Sequence, residues 1–139
     1  METFGEIKMA QDNFFGVKGS IAVVGVSSNP EKWGRRIFDA LKAKKAEVFA
    51  VNPKHDLING NKCYPNIASL PKNPDLVITV TPPEVTLKVL KQCNERGIKK
   101  VWVQPGSESA KVKKFAVSNG FNAVFDSCFL IEKVSGKNG

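Results

Sequence analysis

The sequence predicts an α/β domain: a doubly wound parallel sheet of five strands with helices over both faces. Three observations carry that expectation. Short apolar, β-branched runs alternate with stretches of helical periodicity from Ile21 to Phe125, the pattern of parallel strands joined by crossover helices. The runs are continuously apolar rather than alternating, as strands buried on both faces are. Glycines stand at the ends of helical stretches, at Gly97 and Gly120, where a left-handed residue stops a helix without strain.

Ile21 to Val26 is the first strand. From Trp33 to Lys45, Ile37 and Leu41 fall one turn apart with Phe38 beside them, so one helix face is apolar. Val48 to Val51 is the second strand, and Asn52, preceding a proline, is held extended and carries the chain outward. Lys54 to Pro74 is a long connection with a strand-like Lys62-Cys63-Tyr64 and a helical turn at Ile67 to Leu70. Leu76 to Val80 is the third core strand. Thr81-Pro82-Pro83 offers a hydroxyl cap and a first-turn proline to a helix with Val85, Val89 and Cys93 on one stripe. Lys100 to Val103 is the fourth strand, Ser109 to Asn119 a helix, and Asn122 to Phe125 the fifth strand. Right-handed crossovers favour the strand order 3-2-1-4-5. Residues 20–134 are expected to form the domain, with 1–19 an N-terminal extension and 135–139 a mobile tail.

The 139 residues, 42% hydrophobic, suffice for one core of ordinary size. No apolar run approaches the roughly 18 residues that cross a bilayer. Met1 to Gly19 carries Glu2, Glu6 and Asp12 and no apolar core of a secretory signal, so a cytoplasmic protein without membrane partners is expected. Three cysteines, Cys63, Cys93 and Cys128, form no CxxC pair and leave an odd count, which speaks against a disulfide framework. With one histidine, His55, a zinc site is not expected. The net charge of +8 attracts polyanions. Its scatter in pairs such as Lys44-Lys45 and Lys113-Lys114, without interleaved aromatics, fits solvated helix ends better than a nucleic-acid surface.

Ligands of open parallel sheets bind outside the strand carboxyl ends, where the strand order reverses, so the loops there are the candidate site. The first loop, Gly25-Val26-Ser27-Ser28-Asn29-Pro30, leads into a helix bearing Arg35 and Arg36. Gly25 lets the main chain turn tightly and admits a ligand close to it. Ser27, Ser28 and Asn29 offer donors to diphosphate oxygens, and Pro30 suits a helix start; Ser27 or Asn29 could equally serve as a plain helix cap. Arg35 is the arginine expected to reach the phosphates. The second loop reads Asn52-Pro53-Lys54, where a NAD-binding fold places an acidic residue for the ribose hydroxyls. A lysine there suits a nucleotide with an extra ribose phosphate, which coenzyme A and NADP both carry. The second and third glycines of G-x-G-x-x-G are absent.

In order along the chain stand Val24-Gly25-Val26-Ser27-Ser28-Asn29-Pro30, Gly34, Phe49-Ala50-Val51-Asn52-Pro53-Lys54, Gly60, Tyr64 and Leu70-Pro71. Lys100-Val101-Trp102-Val103-Gln104-Pro105-Gly106 and Asp126-Ser127-Cys128 follow. This series resembles the small stand-alone CoA-binding proteins, relatives of the CoA-binding Rossmann domain of succinyl-CoA synthetase alpha subunits. The likeness spans about residues 20 to 130. It differs in carrying Val26 for the usual loop alanine, Pro105 in the fourth loop, and Val80-Thr81-Pro82 in the third. The resemblance implies binding of coenzyme A or an acyl-CoA at the strand carboxyl ends, with contacts extending to Thr81, Pro82, Gln104, Gly106 and Cys128.

The same loops hold no Ser-His-Asp set and no carboxylate pair, so a non-catalytic binding or regulatory module is expected, as a homo-oligomer or a subunit of a larger assembly. The alternatives are an NADP-binding oxidoreductase-like domain and a basic nucleic-acid-binding protein. Cys128 lies where the pantetheine arm would reach; it is either a redox partner of the cofactor thiol or a buried packing residue.

Overall fold

The computed structural model describes residues 19–127 and Phe129. The expected extension over residues 1–18, the tail from Ser135 and Cys128 lie outside the described residues. In chain order the elements are β1 (Ser20–Val24), α1 (Trp33–Ala43), β2 (Glu47–Val51), β3 (Leu57–Ile58), β4 (Asn61–Tyr64), a 3-10 turn (Ile67–Ser69) and β5 (Leu76–Thr79). Then come α2 (Pro83–Glu95), β6 (Lys100–Val103), α3 (Ala110–Ser118) and β7 (Asn122–Val124).

The fold class is the one expected, but the sheet has seven strands in the order β3-β4-β2-β1-β5-β6-β7. All neighbours are parallel except β3 and β4. The expected order placed Leu76–Val80 beyond the second strand, and this is corrected. The long connection supplies its own strand, β4, which takes the free edge of β2 by pairing Ala50 with Cys63 and Val51 with Tyr64. The chain then crosses back, and β5 pairs with the other edge of β1. Asn59 and Gly60 form the tight β3–β4 turn with φ of 49° and 81°. An Asn-Gly pair accepts that left-handed geometry at both positions.

The helices divide between the two faces. Ile37, Phe38 and Leu41 of α1 pack with Ile21, Val23, Val48 and Ile78 on one face. Val89, Leu90 and Cys93 of α2 and Val112 and Ala116 of α3 pack with Ala22, Val77 and Val101 on the other. Each large side chain so buried contributes about 1.5–3 kcal/mol relative to exposure. Phe129 closes the first face edge-to-face on Trp102, with ring centroids 5.3 Å apart.

Helix ends follow the sequence chemistry. Ser109 Oγ accepts the Val112 N–H at 3.1 Å at the start of α3. Gly97 and Gly120 take φ of 77° and 71° just past α2 and α3. The start of α2 differs from expectation: its N-cap is Pro82, without a side-chain cap, because the Thr81 hydroxyl bonds that of Thr86 at 2.7 Å.

Candidate functional site

Strand register assembles the site. Val24 at the end of β1 is level with Val51 of β2 and Thr79 of β5. The loops after these three strands therefore leave the sheet at one height, at the point where successive crossovers part to opposite sides of β1. Between them lies a cavity of about 340 Å³ lined by Val24, Gly25, Val51, Asn52, Pro53, Lys54, Val80, Thr81, Pro82 and Val85. Six of these were expected from sequence: Gly25, Asn52, Pro53, Lys54, Thr81 and Pro82.

Gly25 turns with φ of 100°, and a Cβ there would fall 2.1 Å from the Val80 carbonyl oxygen. Its lack of a side chain thus lets the β1 loop lie on β5. Gly34 has a comparable constraint, since a Cβ on it would fall 2.3 Å from the Gly25 carbonyl oxygen. It lets α1 sit directly on the loop, the close helix–strand packing that the last glycine of a dinucleotide motif provides.

Val26, Ser27, Ser28, Asn29 and Pro30 do not line the cavity; they continue the loop from Gly25 towards α1. Ser27 Oγ accepts the Asn29 N–H at 2.9 Å, and Asn29 Oδ1 accepts the Glu31 N–H at 2.9 Å. These side chains fold the loop into successive tight turns, so α1 begins at Trp33 rather than at Pro30. Its N-cap, Lys32, makes no side-chain cap. Among the described residues the N–H groups of Val26, Ser27 and Ser28 have no hydrogen-bond partner, and neither do those of Trp33, Gly34 and Arg35. Open main-chain donors in a loop and at a helix start favour an anion.

Arg35 is placed differently from the sequence expectation. Its side chain is only 10% exposed. Nε donates to both Asp39 carboxylate oxygens at 3.0 Å, and Nη1 to the Ser28 carbonyl at 2.9 Å. It braces the loop from beneath. Arg36 is exposed and stacks on Trp33, with its guanidinium carbon 4.4 Å from the ring centroid.

Asn52 joins two loops. Its Nδ2 donates to the Val26 carbonyl at 2.8 Å, and its Oδ1 accepts the Lys54 N–H at 2.9 Å. Both ends of the Asn52 amide are thus engaged with the protein itself. Lys54 is exposed at the cavity rim, and among the described residues its ammonium forms no ion pair.

On the third loop the Thr81 N–H donates to Ser107 Oγ at 2.9 Å. Gln104 is 4% exposed, and its Oε1 accepts the Phe129 N–H at 2.6 Å. It anchors the segment after β7 and does not line the cavity. Gly106 is exposed, with its N–H on Glu108 Oε1 at 2.9 Å, and is likewise outside the lining. Sequence reasoning missed Val24, Val51, Val80 and Val85, which make one wall apolar; the signal was the apolar residues closing β1, β2 and β5 and opening α2.

The described thiols are poor nucleophiles. Burial pushes the Cys93 thiol up to about 12 and raises that of Cys63 as well. Among the described residues no group of three or more His, Cys, Asp or Glu could hold a metal, and no helix is long and apolar enough to cross a membrane.

The family described as CoA binding domain matches residues 19–133. The alpha subunit of acetate–CoA ligase (ADP-forming) II from Pyrococcus furiosus is 36% identical over 91 residues, 65% of this chain and 20% of that subunit. The corresponding ligase of Methanocaldococcus jannaschii is 36% identical over 80 residues, 58% of this chain and 11% of that protein. The chain thus spans a fifth or less of the length of these relatives. A solved structure of a conserved hypothetical protein from Pyrococcus furiosus superposes with a TM-score of 0.77 at 43% identity, covering 81% of this chain and 97% of that one. A dinucleotide-forming acetyl-coenzyme A synthetase from Ca. Korarchaeum cryptofilum, in complex with phosphate and ADP, gives a TM-score of 0.64 at 29% identity over 76% of this chain and 25% of its own. With the family matched over all the described residues and the fold shared with these relatives, this chain belongs to the CoA-binding domain family, whose cofactor is coenzyme A.

Proposed function

We propose that the chain holds coenzyme A in the cavity at the carboxyl ends of β1, β2 and β5, as a binding module. The observation that carries this reading is the cavity together with the loop beside it: the lining joins an apolar wall of Val80, Pro82 and Val85 to a lysine without an acidic partner, and the β1 loop that continues from Gly25 holds unpaired main-chain donors. These fit the cofactor's chemistry part by part. The apolar wall takes the adenine, the β1 loop and the start of α1 take the diphosphate, and Lys54 takes the ribose phosphate. About 340 Å³ lies at the small end of ligand pockets, room for the nucleotide half with the pantetheine arm leaving along the surface. Bound there, coenzyme A supplies a thiol for carrying acyl groups. Lys54 is the one ionisable side chain in the lining, which supports binding rather than acid–base work.

Calorimetry with CoA, dephospho-CoA, NADP and NAD tests the assignment. CoA is expected to bind most tightly, with dephospho-CoA weaker by tenfold or more. NADP binding in the absence of CoA binding would move the chain to the oxidoreductase-like reading.

A further inference from the structure

On the face of the sheet covered by α2 and α3, the seam between the two helices is an open groove. Two hollows of about 420 and 310 Å³ share Leu87, Lys91 and Lys111 in their linings and so form one channel. Its floor is Leu87 of α2 and Phe115 of α3, both half-buried. Lys88 and Lys91 stand along one side, Lys111 and Lys114 along the other, all exposed. On α2 the lining residues recur at Glu84, Leu87, Lys88 and Lys91; on α3, at Lys111, Lys114, Phe115 and Ser118. Each set follows the i, i+3, i+4, i+7 spacing of a single helix face.

The charges there lack partners. Arg35 is neutralised by Asp39, Lys72 by Glu47 and Lys113 by Asp126. Among the described residues none of the four groove lysines forms an ion pair, and Glu84 is the one acid in the lining. Gathered like charges repel one another, a cost that a carboxylate-bearing occupant relieves.

We propose that this groove is a docking surface for a protein partner presenting an amphipathic helix, its apolar residues seated on Leu87 and Phe115 and its flanking carboxylates on the four lysines. The apolar floor separates this occupant from nucleic acid, whose phosphates need no such floor and whose successive bases would find a single half-buried aromatic, Phe115, in the lining. Eleven positions from Ser109 to Asn119 correspond to roughly 15 Å of helix, matching about three turns of a bound helix.

The probe is a fluorescein-labelled 15-residue helical peptide with leucines at i, i+3, i+4 and i+7 and glutamates on both flanks. Anisotropy against the full chain is expected to show saturable binding. Lys91→Glu/Lys111→Glu should weaken it at least tenfold, and Leu87→Ser at least threefold, with circular dichroism reporting that each variant folds. Lys42→Glu/Lys45→Glu, on the opposite face, should leave it unchanged. Equal losses from the two charge-reversal pairs, or no loss from Leu87→Ser, would reduce the groove to unspecific charge. A duplex oligonucleotide that binds more tightly and displaces the peptide would assign the surface to nucleic acid instead. Carbodiimide cross-linking of the full chain supplies a second test. Links from Lys91 or Lys111 to Glu2, Glu6 or Asp12 of the same chain would show the groove filled from within and overturn the proposal, whereas their absence together with saturable peptide binding supports it.

Discussion

Replacing Asn52 by alanine separates two loops that the structure ties together. The side chain donates to the Val26 carbonyl at 2.8 Å and accepts the Lys54 N–H at 2.9 Å. The two halves differ in worth. Lys54 is exposed, so its N–H finds water, and that bond contributes at most about 0.5–1 kcal/mol. Val26 is 0% exposed, so its carbonyl is left without a partner, at a cost of about 1–3 kcal/mol. The expected loss is therefore about 1.5–4 kcal/mol, a fall of roughly 5–16 °C in Tm for a chain of this size. Asn52→Asp discriminates between the halves. It keeps the acceptor for Lys54 but sets a carboxylate against the Val26 carbonyl, so it should be at least as unstable as Asn52→Ala. Both variants should also weaken CoA by about tenfold, ~1.4 kcal/mol, because the β1 loop loses its fixed distance from Lys54. Thermal unfolding and calorimetry on the three proteins read these effects. An aspartate variant that melts with the parent would refute the argument, since the bond to Val26 would then carry nothing.

Further outcomes follow from the same geometry. Arg35→Ala should lower stability by about 2 kcal/mol, the worth of a charged hydrogen bond to a loop carbonyl, and weaken CoA with little dependence on salt because Asp39 already neutralises the guanidinium; Arg36→Ala should leave stability within about 0.5 kcal/mol of the parent in urea titrations. Burial holds the Cys93 thiol at about 12 against an ordinary 9.0, so the unfolded chain loses its proton first as pH rises. Its contribution to stability is then complete below pH 9.0 and lost progressively towards about 12. Urea titrations between about pH 8 and 10.5 should give the parent a slope steeper than that of Cys93→Ala by about 1 kcal/mol per pH unit; equal slopes would mean that the thiol ionises freely in the folded chain.

The strands and helices were legible because burial leaves a periodic mark: Ile21 to Val24 of β1, buried at every residue, read as an unbroken apolar run, and Gly97 and Gly120 stand just past the ends of α2 and α3. Strand order was not legible in the same way. Alternation fixes that β5 is parallel to its neighbours, not which edge it joins, and the choice turned on β4 occupying β2's edge. Asn59-Gly60 carried a hairpin signal for β3 and β4 within what reads as one long connection. In the site, Gly25, Pro53, Lys54 and Pro82 were visible as loop residues at strand ends. Arg35, Asn52 and Gln104 were visible only as polar residues on or just after the loops at the strand ends. Their hydrogen bonds to Ser28, Val26 and Phe129 are long-range or cross-loop contacts that no local pattern encodes. The apolar wall of Val80 and Val85 was hidden for the opposite reason: such residues read as core.

The central claim is that Lys54 reads the ribose phosphate of CoA in the cavity beside Gly25, and a double-mutant cycle tests it most directly. CoA and dephospho-CoA are titrated into the parent chain and into Lys54→Ala. The parent should prefer CoA by about 10–100-fold, equivalent to ~1.5–3 kcal/mol for a charge-assisted contact, and Lys54→Ala should bind the two ligands within about threefold of each other. A parent chain that binds CoA and dephospho-CoA equally, or a preference that survives in Lys54→Ala, would contradict it.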